Sequence, residues 1–426
     1  MARTPDQVSQ PLTPNGWFAN SPGIANEDRS CLKRRMLYAD ITEFISNPMG
    51  TGIQRTVREI FAHWPGGLPA CYFDASINDL RAVAPHALEA VLDNSRAIGS
   101  KEKAARAAEI ISADPGTVID AEASVLIPEL FFDHARCAFY AQRIKRHPSR
   151  SLAIVYDLFP WTHPAQFGIT DRRPYEPYFN LILSMECTAH ISLETKEEYE
   201  RSGGNKRRLP LPILHLGADG LSIEKQAFRP DRKTFVCLGS IEARKRQNDI
   251  LRTFAQLWGE GIDAELIFVG RTVDHGDRSL GPMIEAAKVL YPHFKHYEAA
   301  SDDDVAAILE TARATIMVST LEGYGLPPVE SLHAGIPVIV SDVMPSIRRL
   351  PSLGQIRVEP WNPGQIAVAV KRLLDDDVAR SLWNDAADLS LPTWQDTARQ
   401  VNDWAVSVQN REHNFFSRWL GARRRA

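Results

Sequence analysis

The chain lacks any apolar run near the ~20 residues that a membrane-spanning helix needs, and its opening MARTPDQVSQPLTPNGWFANSPG lacks the apolar core of a secretory signal. Both absences lead to the expectation of a cytoplasmic protein, with a disordered leader rich in Pro, Ser, Asn and Gln over 1–33. Cysteine is scarce. Cys31, Cys71, Cys137, Cys187 and Cys237 stand apart, without a CxxC pair or a metal-ligand spacing. That odd, scattered set fits buried thiols in a reducing compartment better than a disulfide framework. Neither sign of charge dominates: 49 Lys and Arg against 53 Asp and Glu leave a net charge of -4, no global reason to expect a nucleic-acid partner. HExxH, the P-loop GxxxxGK[ST] and the GxSxG elbow do not occur, and no repeat has a solenoid period.

What is present is an alternation. A chain of 426 residues exceeds what one hydrophobic core usually serves, so two domains are expected. Strands are predicted at RMLYADI (35–41), SVLIPEL (124–130) and SLAIVYDLF (151–159), with helices at 52–64, 131–146 and 175–189. Gly, Pro and a basic cluster in RSGGNKRRLPLPIL (201–214) place a boundary near residue 203. The alternation restarts with strands at 234–240, 264–271, ATIMVST and 336–342, and helices at KRQNDILRTFAQLWGEG, 302–313 and two closing segments. Such βαβ alternation predicts α/β architecture: two doubly wound parallel sheets facing across a cleft, with ligands at the strands' C-terminal ends. The domains are expected at 34–203 and 204–395, with a helix over 396–412 returning to the first and a basic aromatic tail at 413–426.

Four stretches carry candidate chemistry. In LEGYGLPPVESLHAG (321–335), Glu322 and Glu330 bracket a Gly-x-Gly turn. A short helix is expected from about Pro328, with Glu330 in its first turn, where its carboxylate would also satisfy the dipole. Glu322 precedes the turn and lacks that explanation. Gly323 and Gly325 allow close backbone approach, and exposed amides at a helix start suit an anion. Two acids around such a turn fit a polyhydroxyl ligand that carries phosphate, as a sugar nucleotide does. In CLGSIEARKRQND (237–249), a strand ending at Gly239 delivers Arg244 and Lys245, cations suited to a diphosphate, or else a solvated helix start. NPMGTGIQRTVRE (47–59) mimics a dinucleotide fingerprint, but Arg55 stands where the third glycine belongs. In IVYDLFPWTHP (154–164), Asp157 ends a strand, either as a site residue or as a turn cap.

Together these stretches resemble the group 1 retaining glycosyltransferases, whose GT-B fold pairs two Rossmann-like doubly wound domains across a cleft. SxxEGYGLPPVE is similar to that family's E-x7-E motif, LGSIEARKRQNDIL to its Gly–Arg–Lys diphosphate segment, and ELIFVGR, HAGIPVIVSD and LPTWQDTA with Trp394 to further stretches. TGIQRTVREI and YDLFPWTHPAQF resemble a subgroup common in bacterial surface-polysaccharide synthesis. The resemblance covers roughly 35–410. It implies Glu322 and Asp157 as catalytic residues and Gly52, Gly239, Arg244, Lys245, Gly325, Leu326 and Glu330 as donor-binding residues. Arg244 and Lys245 would neutralise the leaving diphosphate, Glu330 would bind the ribose, and Glu322 would lie near the transferred sugar. No metal or cofactor is implied, the nucleotide sugar being a co-substrate. Three stretches depart from the pattern: Tyr156 stands where His is common, Leu193 where Ser is common, and Arg348 and Arg349 where an acid often follows.

The expected function is retaining transfer of a hexose, mannose (from GDP-mannose) first, to a growing bacterial polysaccharide or lipid-linked glycan. The alternative is a catalytically silent nucleotide-sugar-binding or scaffold protein of the same fold. A NAD-dependent oxidoreductase is disfavoured by the broken fingerprint, and a glycan phosphorylase by the lack of a pyridoxal-phosphate lysine motif. Phe415, Phe416, Trp419 and Leu420 with four arginines in the tail suit either a frayed terminus or an anionic membrane surface on the inner face of the plasma membrane.

Overall fold

The computed structural model describes residues 36–423 except 49, 95–99, 222, 274 and 276, with side chains of the closing helix described to residue 411. The expected leader at 1–33 and the aromatic and basic side chains of the tail lie outside the described residues. The described chain forms two six-stranded sheets.

The first sheet comprises β1 (Leu37–Asp40), β2 (Ala70–Asp74), β3 (Asp79–Ala82), β4 (Ser124–Ile127), β5 (Ser151–Val155) and β6 (Cys187–His190). Its order is β3-β2-β1-β4-β5-β6, and only the β2–β3 pair is antiparallel. The second comprises β7 (Thr234–Leu238), β8 (Glu265–Val269), β9 (Phe294–Tyr297), β10 (Ala312–Met317), β11 (Val338–Ser341) and β12 (Gln355–Val358). Here the order is β12-β11-β10-β7-β8-β9 and every pairing is parallel. Parallel strands covered by helices on both faces are buried throughout, hence the continuous apolar runs LAIV in β5 and FVCL in β7. Cys71, Cys137, Cys187 and Cys237 are all buried.

Local sequence explains many boundaries. The helix Gly52–His63 starts where Thr51 accepts from Gln54 N–H, and the helix Asp302–Leu309 starts with a capping box between Ser301 and Asp304. Two expected helices are shorter than their periodicity suggests. The segment 175–189 is helical only over Glu176–Ser184, because Cys187–His190 pairs with β5 as an edge strand. The segment 302–313 stops at Leu309, since Ala312 and Arg313 are drawn into β10 beside β7. In both, sheet pairing overrides the local helical spacing.

The closing helix Trp394–Arg423 lays Val401, Trp404, Ala405 and Val408 against Ala39, Ile60, Trp64 and Leu126 of the first sheet and its helix. Trp394 itself is fully buried where that helix starts. The chain from the second sheet therefore packs back onto the first, and the ends of the two sheets meet.

Candidate functional site

The C-terminal ends of β7 and β10 deliver two loops that are bound to each other. After β7 the chain makes one 3-10 turn, Ala243–Lys245, and Arg246 then enters the next helix from the left-handed region. The Arg244 guanidinium lies between two carboxylates. Its Nε donates to Glu242 Oε2 at 2.8 Å, its Nη1 donates to the Leu321 carbonyl at 2.7 Å, and Nη1 sits 3.1 Å from Glu322 Oε2. In return Thr320 donates from its backbone N–H and hydroxyl to the Arg244 carbonyl, at 2.8 and 3.0 Å. Ser319 Oγ donates to Glu322 Oε1 at 2.9 Å. Lys245 Nζ passes over Gly239 and reaches Ser240 Oγ at 3.1 Å. Burial opposes these charges, but the pairing outweighs it. Glu322 is held below the usual carboxylate range by Arg244 and Lys245, and Arg244 is pushed up by Glu322 and Glu242.

Gly323 and Gly325 have a different use from the one expected. A Cβ on Gly323 would lie 2.7 Å from the Tyr156 carbonyl of the first half, and one on Gly325 would lie 2.2 Å from Met344 Sδ. Gly325 also has φ +91°, which disfavours an L side chain. Both glycines thus let protein approach protein, whatever else they admit. Gly325 caps the helix Leu326–His333, which starts two residues earlier than expected, because Leu326 precedes Pro327 and Pro328 in helical geometry. Glu330 is consequently in the second turn, beyond the dipole's strongest reach. Its carboxylate is buried and is met by Arg55.

Arg55 comes from the first half, in the first turn of Gly52–His63. Nη1 donates to Glu330 Oε1, and Nη2 donates to Asp302 Oδ1 at 2.8 Å; Arg58 Nη2 approaches the other Asp302 oxygen at 3.3 Å. Burial raises the Glu330 carboxyl above its ordinary value and Arg55 pulls it back. Gly52 stands above the same helix start, its Cβ position 3.5 Å from Leu326 Cδ1.

Asp157 follows β5 and faces the Gly323 turn, with its Cβ 3.4 Å from where a Gly323 Cβ would be. Burial pushes it up to about 6, while the Phe159 N–H it accepts and nearby Arg244 hold it back. Thr195 Oγ1 bridges the halves between the Tyr156 carbonyl (3.0 Å) and the Gly323 carbonyl (3.3 Å). The Phe167 ring of the first half lies 5.6 Å from the Arg244 guanidinium and 5.3 Å from the His275 ring.

The structure therefore gathers Glu322, Arg244, Lys245, Gly239 and Asp157 at one junction, with Gly52, Gly325, Leu326 and Glu330 beside it. Sequence reading missed Glu242, Thr195, Phe167 and the partnership of Arg55, Arg58 and Asp302. A mismatch in the fingerprint did single out Arg55, but only as a missing glycine. Two of the three departures from the family pattern have polar partners, and the third, Leu193, opens a helix. Tyr156 donates to the Pro128 carbonyl at 2.8 Å. Leu193 follows Ser192, which caps the helix Leu193–Arg201. Arg349 pairs with Glu194 across the halves at 3.1 Å, with Arg348 at 3.6 Å.

A family model described as glycosyl transferases group 1 matches residues 220–389, the second sheet and its helices. The serotype-specific mannosyltransferase WbdA of Escherichia coli is 30% identical over 141 residues, which are 30% of this chain and 17% of that protein. The GDP-mannose:cellobiosyl-diphosphopolyprenol alpha-mannosyltransferase of Xanthomonas campestris is 26% identical over 145 residues, 33% of this chain and 38% of that one. The chain thus matches well under half the length of these relatives. Among solved structures, Anabaena Alr3699/HepE in complex with UDP and glucose is 13% identical, covers 90% of this chain and 99% of its own, and has a TM-score of 0.57. That likeness establishes the fold as GT-B. Residues 220–389 are therefore similar to the group 1 glycosyl transferases, within a chain whose whole fold is GT-B.

Proposed function

We propose that this protein transfers a hexose, mannose first, from a nucleotide-sugar donor to a growing bacterial polysaccharide or lipid-linked glycan. The observation that carries this reading is the Arg244–Lys245 pair facing Glu322 at the C-terminal ends of β7 and β10, where doubly wound sheets bind ligands. Two mannosyltransferases among the relatives support the sugar, and the diphosphopolyprenol in one name supports a lipid-linked acceptor. GDP-mannose is accordingly the first donor to test.

In this reading Arg244 and Lys245 take up the charge that grows on the leaving diphosphate. The bond between the anomeric carbon and the phosphate oxygen breaks with its electron pair going to the diphosphate. The acceptor hydroxyl oxygen attacks the anomeric carbon from the same face, and its proton passes to the departing phosphate oxygen. Configuration is retained and no protein base is required. Glu322 stays ionised beside the developing positive charge on the sugar, and Asp157 faces it from the first half. Glu330 takes the ribose. These residues need no metal for charge neutralisation. No helix among the described residues is long and apolar enough to cross a membrane, so a lipid-linked acceptor would be met at a surface, which the tail's arginines suit.

The test is transfer from GDP-mannose to a diphosphopolyprenol-linked oligosaccharide, with and without EDTA, alongside UDP-, ADP- and dTDP-sugars. Product with the donor's anomeric configuration, unchanged by EDTA, is expected. Nucleotide-sugar binding without turnover over all donors and acceptors would overturn the proposal in favour of a binding protein.

A further inference from the structure

We infer that Arg55 is a positioning residue for the donor: it fixes Glu330 and Asp302 from the opposite half, so that the nucleotide's ribose is gripped only when the two halves are closed. The inference rests on the proposed function for the identity of the ligand, and on geometry for the rest.

The guanidinium fork spends one nitrogen on each acid, Nη1 on Glu330 and Nη2 on Asp302. Glu330 is 3% exposed and Asp302 is 45% exposed, so the fork runs from the interior of the cleft to its rim. Arg58 adds a second contact to Asp302, so two cations of one helix hold a single rim acid. The packing at this point is tight. A Cβ on Gly220 would stand 3.2 Å from Arg55 Cδ, 3.4 Å from Glu330 Oε1 and 2.7 Å from Trp394 Nε1. Trp394 Nε1 is itself buried without a hydrogen-bond partner.

Neither helix needs the pair for its own folding. Gly52–His63 is capped by Thr51 and Asp302–Leu309 by its capping box, while burying an ion pair gains little net stability once desolvation is counted. What the pair does achieve is orientation. A carboxylate accepts at both oxygens, and Arg55 takes Oε1, which leaves Oε2 to accept from a donor hydroxyl. Opening the cleft withdraws Arg55 with its helix, and Glu330 then loses both its orientation and its nearby cation. A donor that binds the closed state better than the open one must shift the population toward closure.

The test compares Arg55→Gln, Arg55→Lys and Asp302→Asn with the unaltered protein. Arg55→Gln is expected to raise the donor KM about 10-fold or more, with a much smaller change in kcat, the cost of a lost charge-assisted contact. Arg55→Lys keeps the charge but not the fork and should recover only part of that. Asp302→Asn, at an exposed partner, should raise KM about 2- to 5-fold, and it serves as the second variant should Arg55→Gln fold poorly. A pH profile separates positioning from bulk packing. Glu330 faces Arg55 and Glu59 on one helix and Asp302, itself held by Arg58, on the other. Without Arg55 those neighbours are acidic, so acidification through the neutral range should raise the donor KM in Arg55→Gln but not in the unaltered protein.

A donor KM within twofold of the original in Arg55→Gln and Asp302→Asn, or a loss confined to kcat, would overturn the inference while leaving sugar transfer intact. If the unaltered protein transfers no sugar, GDP affinity by calorimetry decides. Weaker GDP binding in Arg55→Gln supports the inference and sinks only the proposed function, whereas equal binding sinks the inference.

Discussion

Arg136 and Arg244 are each held by two carboxylates, and they differ in where they sit. Arg136, in the first half, is 1% exposed: its Nη2 lies 2.8 Å from Asp40 and 3.5 Å from Glu129, and its guanidinium stacks 3.8 Å from the Phe131 ring. Glu129 also accepts the backbone N–H groups of Glu43 and Phe44, and Tyr140 donates to Asp40. Arg244, at the sheet junction, is 12% exposed, and its partners Glu242 and Glu322 are at 7% and 13%. The same chemistry serves two purposes. The first network is closed by protein on every side and ties β1, β4 and the helix His134–Arg146 together. The second is less completely covered by protein, as a site that meets a ligand would require.

The comparison can be broken most forcefully at Arg136. Arg136→Leu leaves Asp40 and Glu129 buried without their cation, and it is expected to cost about 3–5 kcal/mol of stability. Urea unfolding measures this, and a loss near zero would mean that the two networks are not distinct in kind. Arg244→Gln should behave in the opposite way. Stability falls by about 1 kcal/mol, while turnover falls about 10²- to 10³-fold, the usual cost of removing one donor to developing negative charge. Turnover unaffected by Arg244→Gln would remove the diphosphate assignment.

Asp157 sharpens the contrast through pH. Its folded value of about 6 lies above the ordinary 3.8, so the folded state binds its proton more tightly than the unfolded chain does. The ionised carboxylate therefore costs stability above pH 6, and the cost disappears as pH falls below about 4. Asp157→Asn is expected to raise the unfolding midpoint at pH 7.5 and to leave it unchanged near pH 4. Should the ionised Asp157 act on the sugar, an acidic limb in kcat near pH 6 would vanish in the same variant. The smallest effect is expected at Arg349 and Glu194, a pair 51% and 26% exposed. A double-mutant cycle should give a coupling of about 0.2–1 kcal/mol, diminished by salt.

The two halves also differ in how much of them can be read from sequence. In the second half, strands β7, β8, β10 and β11 announce themselves as apolar runs, and the residues around the candidate donor site lie within two short segments, 239–245 and 322–330. Short edge strands such as β9 (FKHY) and β12 (QIRV) do not, because each mixes polar and charged residues with its few apolar ones and carries little apolar signal. In the first half, β3 (DLRA) is invisible for the same reason. Cys187–His190 looked helical until its partner β5 was in place.

The sequence by itself determined the α/β alternation and the two short segments that carry Gly239, Arg244 and Lys245 on one side and Glu322 on the other, since each depends on residues close in the chain. Only the tertiary structure decided the partners that lie far apart: Arg55 on Glu330 and Asp302, Thr195 on Gly323, Phe167 over Arg244, and Tyr156 against a glycine that was expected to serve a ligand. The physical reason is that propensity and capping act over a few residues, whereas contacts between the halves depend on how the closing helix brings the two sheets together. Hydrophobic periodicity marks which face of each helix is buried, but it does not say which charge of one half will meet which charge of the other.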